Sequence, residues 1–261
     1  MDAQTTSSGR ADPLGQPLPR RWRRALPGAL AVTALTTVLA YTGLGQPLRT
    51  VPENLRIPIA LDTEETPHET PSVLHQIDTE EPVIFVTIDD GHQPGPAALE
   101  IVREHRMPVS LFLNEQPVKD HAPHFEDYIE LGHHVHTHTL SHVELPQYGF
   151  EEQRHEICGM VEVLEETFGD DGAVGSLLRA PYGASDATTA EAAATCGITA
   201  IPHWSGTAED GAVTLAHGDS FRPGDIILTH FTETLPEDLR AVQQKAEAEG
   251  FTVARLEDYL P

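Results

Sequence analysis

Two short stretches of this 261-residue chain carry side chains suited to hydrolysis. Thr87-Ile88-Asp89-Asp90-Gly91 sets two adjacent carboxylates behind the apolar run Val83-Ile84-Phe85-Val86, and His138-Thr139-Leu140-Ser141-His142 sets two imidazoles four residues apart. One carboxylate and two neutral imidazoles make a ligand set for a divalent metal with an open coordination position. The spare carboxylate is then free to act as a base on water activated at that metal. Each stretch alone has a plainer reading: Asp-Gly after a strand usually makes a turn, and the surplus imidazoles His133, His134 and His136 are ordinary packing residues.

Two further stretches belong with these. Arg179-Ala180-Pro181-Tyr182-Gly183 combines a rigid turn with an arginine able to hold a carboxylate through two parallel hydrogen bonds. Leu228-Thr229-His230 places an imidazole suited to proton transfer, with Asp210 as a carboxylate to orient it.

These residues need a scaffold that brings them together. Strand patterns at 83–88, 109–113, 133–138, 176–179, 198–201, 225–229 and 252–256 alternate with helical patterns at 95–105, 124–131, 151–168, 188–195 and 237–249. This alternation predicts a parallel α/β architecture. Asp89/Asp90, His138, Arg179 and His230 all fall at strand C-termini, where such folds carry their sites. Cys158 and Cys196 fall on consecutive helices, neighbours in such an architecture. They can bridge if their Cα atoms lie within about 7 Å.

Together the four stretches resemble the polysaccharide deacetylase family of carbohydrate esterases, the NodB homology domain. The likeness runs over residues 72–261 and keeps the motif order. Thr87–Gly91 is similar to T-F-D-D-G with Ile88 for Phe, His138–His142 to H-[ST]-x-x-H, Arg179–Gly183 to R-x-P-[YF]-G, and Leu228–His230 to L-x-H. The resemblance implies a distorted (β/α) barrel of about seven strands. It also implies a single divalent metal held by Asp90, His138 and His142, usually zinc, with cobalt or manganese as alternatives. It further implies Asp89 as general base, His230 as general acid and Arg179 as the clamp on Asp89. The Tyr182 amide would stabilise the oxyanion and Leu228 would line the acetyl-methyl pocket. The implied activity is removal of acetyl groups from N-acetylated sugars of a cell-wall or chitin-like polysaccharide. The alternatives are an O-acetyl (xylan-type) esterase and a non-catalytic carbohydrate-binding relative. Three positions depart from the family pattern: Gly211 stands where a tryptophan is usual after the aspartate, His136 where a small residue is usual, and His92 where proline is frequent.

Charge and hydropathy divide the chain. Arg20, Arg21, Arg23 and Arg24 precede a stretch free of charge, whose apolar part, 25–44, approaches the roughly 20 residues that cross a bilayer. The expectation is a cytoplasmic leader (1–24), a membrane anchor or cleaved signal segment (25–44), an acidic Pro-rich linker (45–71) and an exported deacetylase domain (72–261). Membrane contact is expected through the N-terminal segment only. After residue 50, ten Lys and Arg face 39 Asp and Glu, a net charge of −29. Such a surface repels nucleic acid, anionic lipid and anionic wall polymers and suits a neutral or cationic partner, or a saline setting where screening is strong.

Overall fold

The computed structural model describes residues 69–260, all within one compact unit, Asp62–Pro261. Its elements are β1 (Ser72–Leu74), β2 (Val83–Asp90), α1 (Pro96–His105), β3 (Ser110–Leu113), α2 (Glu115–Glu130), β4 (His134–Thr137), α3 (Phe150–Phe168), β5 (Val174–Leu178), α4 (Ala187–Thr195), β6 (Ala200–Pro202), β7 (Gly206–Glu209), β8 (Ala212–Leu215), β9 (Ile226–His230), α5 (Leu235–Glu249) and β10 (Thr252–Ala254). The strands form one curled, open sheet in the order β1-β6-β5-β4-β3-β2-β9-β7-β8, with β10 beside the first half of β2. Every pairing is parallel except the β7–β8 hairpin. This curled α/β half-barrel agrees with the distorted barrel that the family resemblance implies. Short edge strands and the hairpin bring the strand number above seven.

β2 sits near the centre because it is β-branched and apolar on both faces. Ile84, Val86 and Ile88 pack with the helices, among Leu99, Val102, Leu113 and Phe125. Phe85 faces the concave side, with Phe112, Leu177 and Leu256. The period of two therefore carries Thr87 and Asp89 onto the concave side, above Phe85.

α2 is longer than the pattern at 124–131 suggested. It begins at Glu115 and bends at His121 (φ −134°, ψ 21°), two residues before Pro123, whose missing N–H interrupts the helical hydrogen bonding. The expected bridge between α3 and α4 is present: Cys158 and Cys196 are joined, with Cα atoms 5.0 Å apart.

The expected membrane attachment is corrected. Among the described residues no helix is long and apolar enough to cross a membrane. The 19-residue α3 has the length but carries glutamates along its sequence. The leader, anchor or signal, and most of the linker fall in residues 1–68, outside the described residues.

Candidate metal centre and active site

The site forms where β2, β4, β5 and β9 end. Asp89 is the last regular residue of β2 and Asp90 leaves the strand at φ 75°. Gly91 follows at φ 96°, and a Cβ there would lie 2.9 Å from both Phe125 and Pro117. Only glycine meets both demands. The two aspartates consequently separate. Asp89 is buried on the concave side, where Arg179 Nη1 donates to its Oδ1 at 3.3 Å and its Oδ2 at 3.1 Å. Asp90 turns toward the histidines.

Arg179 is wholly buried and its donors are used. Nε donates to the Pro202 carbonyl, and Nη2 donates to Thr87 Oγ1 and the His203 carbonyl. Its guanidinium carbon lies 4.7 Å from the Phe112 ring centroid and 5.5 Å from that of Trp204. The clamp is thus fixed in position before any ligand arrives.

The histidine loop is held by Asn114, which follows β3. Its Nδ2 donates to the carbonyls of His138 (2.5 Å) and Thr139 (3.0 Å), and its N–H donates to the Asp90 carbonyl. Thr139 and His142 both have positive φ, 68° and 54°. Four non-glycine residues in left-handed conformations, counting Asp90 and Tyr182 (φ 61°), therefore surround one site. Backbone strain of this kind persists only where surrounding contacts over-determine it.

The imidazoles are oriented by their Nδ1 atoms. His138 Nδ1 lies 2.7 Å from the Arg179 carbonyl and so carries the proton, which leaves the Nε2 lone pair free. His142 Nδ1 lies 3.2 Å from the Tyr182 hydroxyl. Both Nε2 atoms approach Asp90 Oδ1, at 3.4 and 3.5 Å. Among the described residues that oxygen is buried without a hydrogen-bond partner. Three lone pairs facing one point repel one another unless a cation sits among them. The ligand atoms all lie within 4.8 Å of one another, so the donor set fits a divalent metal. Burial, then the neighbouring His138, holds the His142 imidazole below its ordinary pKa, in the neutral form that binds metal. Burial pushes the Asp90 carboxyl up, but His138 and then His230 and His142 outweigh it and hold it below the usual range.

Asp89, Asp90, His138, His142, Tyr182, Leu228 and His230 line one cleft of about 310 Å³. His230 is the register partner of Asp89 across β9 and β2, and Thr207 is that of Leu228 across β7 and β9. Arg179 lies behind this wall. Asp210 is not brought to the cleft. It sits at the tip of the β7–β8 hairpin at φ 50°, followed by Gly211 at φ 74°. Asp-Gly with two positive φ values is the preferred two-residue hairpin turn. Asp210 makes no hydrogen bond to His230 among the described residues, and Gly211 N–H instead donates to Asp238 at 2.7 Å. Sequence reasoning missed Trp204, Thr207 and Glu209, which line the cleft, and Asn114. The hairpin signature Asp210-Gly211 between alternating residues would have placed the β7 side chains.

The sequence profile of the family described as Polysaccharide deacetylase matches residues 76–201. An uncharacterised protein of Streptomyces coelicolor is 37% identical over 199 residues, covering 73% of this chain and 78% of its own length. A chitooligosaccharide deacetylase of Azorhizobium caulinodans is 30% identical over 187 residues, covering 68% of this chain and 86% of its own. Among solved structures, a carbohydrate esterase family 4 pseudoenzyme from Bacillus anthracis superimposes with a TM-score of 0.63 at 17% identity, over 72% of this chain and 69% of its own, a likeness of fold. The motif geometry, the profile and the 30%-identical deacetylase agree: this chain belongs to the polysaccharide deacetylase family.

Proposed function

We propose that the protein is a metal-dependent deacetylase that hydrolyses the acetamide of N-acetylated sugars, in chito-oligosaccharides or a related wall glycan. The observation that carries this reading is the convergence of two Nε2 lone pairs on the unpartnered Asp90 Oδ1, beside Asp89 and His230 in one cleft. Asp90, His138 and His142 would hold the ion, with zinc the expected metal. Bound there, a divalent cation supplies Lewis acidity toward water and the acetamide carbonyl.

The chain's own residues do the rest. Asp89, fixed by both oxygens on Arg179, takes the proton from the attacking water. His230, across the ladder, gives a proton to the departing amine nitrogen, which leaves as a free glucosamine unit with acetate as co-product. The Tyr182 amide donates to the developing oxyanion. Leu228 lies in the cleft wall against the acetyl methyl, and the half-exposed Trp204 presents an indole face for a sugar ring. Binding alone would require neither Asp89 nor His230, so their shared placement favours catalysis over a carbohydrate-binding role.

The test is acetate release from N-acetylglucosamine oligomers and from O-acetylated xylan, with chelator and after zinc is restored. Chelator-sensitive release from the oligomers supports the proposal. Release from xylan alone would make it an O-acetyl esterase, and release from neither would make it non-catalytic.

A further inference from the structure

The described residues contain nine Lys and Arg in a domain dominated by acids. Five of them, Lys119, Arg154, Arg179, Arg240 and Lys245, reach a carboxylate. Arg222 donates to the His217 carbonyl. The remaining three, Arg103, Arg106 and Arg255, line one pocket of about 270 Å³. In so acidic a chain a carboxylate partner is easy to find, and three guanidiniums gathered without one repel each other.

The pocket is built from the ends of separate elements. Arg103 lies in the last turn of α1, and Arg106 caps that helix at φ 49°. Arg255 follows β10 and donates from Nη1 to His134 Nδ1 at 3.1 Å. Its Nη2 is the atom that a Cβ on Gly132 would meet at 3.6 Å. His133 forms part of the lining and its Nδ1 accepts the Val109 N–H at 3.4 Å, so the ring proton sits on Nε2 as a further donor. Burial, then the Arg255 charge, lowers the His133 pKa to about 4, so the ring is neutral at neutral pH. Glu257, the carboxylate that acts on His133, is itself hydrogen-bonded to His136 at 2.7 Å. Pro108 and Leu131 supply apolar wall.

We infer that this pocket binds a small phosphate-type oxyanion carrying a short apolar group, held by Arg103, Arg106 and Arg255 with its apolar part against Pro108 and Leu131. A small ligand is specified because a surface of net charge −29 beyond residue 50 repels an extended polyanion, while three arginines lining one pocket act at short range. The pocket is distinct from the metal centre. Apart from Arg255, which follows β10, its residues precede β3 and β4, whose opposite ends lead to Asn114 and His138, a strand length of roughly 13 Å away.

The test is calorimetric titration of the metal-loaded protein with phenyl phosphate, and separately with inorganic phosphate, at low ionic strength. The wild type is compared with R103A/R106A, which truncates two exposed side chains. The expected result is tighter binding of phenyl phosphate than of inorganic phosphate, weakened about tenfold or more in the variant. Raised salt should weaken binding to the wild type. Equal affinity of wild type and variant would assign the binding to the metal centre and overturn the inference, as would absence of measurable binding. The heat of binding is read independently of acetate release, so failure here and failure of the proposed deacetylase activity are separately visible.

Discussion

At the residue scale, the candidate metal set was legible because its chemistry constrains both type and spacing. Asp90, His138 and His142 meet where the motifs implied. Asn114 was not legible, since a single asparagine after an apolar run reads as an ordinary helix start, and its side chain acts through long-range contacts to two carbonyls. Asp210 misled for a related reason: Asp-Gly serves equally as part of a catalytic motif and as a hairpin turn, and here it makes the turn. Tyr182 offers a contact beyond its backbone amide. Its hydroxyl meets His142 Nδ1 at 3.2 Å and so helps keep the Nε2 lone pair toward Asp90. Second-sphere partners of this kind are worth about 10–100-fold in metal affinity. Tyr182→Phe should therefore bind zinc about tenfold more weakly, as measured by competition with a chromophoric chelator, with an unchanged far-ultraviolet dichroism spectrum. Unaltered zinc affinity would show that the hydroxyl does not orient His142.

At the element scale, strand–helix alternation revealed the long, strongly patterned elements. It missed β1, β7 and β8, which are only three or four residues long and half-exposed, too short for a period to show. The His136 departure has a partner in another strand. A Cβ on Gly175 of β5 would lie 2.0 Å from His136 Cε1, so the glycine makes room for the imidazole, which stacks on Phe112 beneath Arg179. No local pattern reports such a pairing. α4 is tied to α3 twice, by the disulfide and by Thr189 Oγ1 donating to Gln153 at 2.7 Å. The bridge closes a loop with a sequence separation of 38, for which removal costs about 2–4 kcal/mol. C158A/C196A should lower the urea midpoint and, because the unfolded chain loses its crosslink and exposes more surface, steepen the slope of the transition. An unshifted midpoint would mean that the bridge does not stabilise the fold.

At the scale of the whole molecule, buried histidines make the fold acid-sensitive. Burial first, and then Arg255 and Arg179 respectively, lower His133 and His203 from 6.5 to about 4. A depressed folded pKa means that the unfolded chain binds protons first as pH falls. The contribution is full above about 6.5 and is lost progressively down to about 4. Glu257 adds a lower step: burial pushes its carboxyl up, but the His136 hydrogen bond and charge outweigh this and bring it to about 2, so its contribution is present above 4.5 and fades toward 2. Urea midpoints of the chelated protein should fall between pH 7 and pH 4.5, and H203N should flatten that decline. A midpoint constant over this range would contradict the assignment. The adjacent aspartates divide the labour of the proposed reaction, and metal content by elemental analysis measured beside acetate release on D89N and D90A separates their roles. D90A is expected to lose metal and activity together, while D89N keeps its metal and loses activity by roughly 10²–10⁴-fold, the scale of a general base. A D89N protein that loses its metal while D90A retains it, or two variants as active as the wild type, would contradict that division.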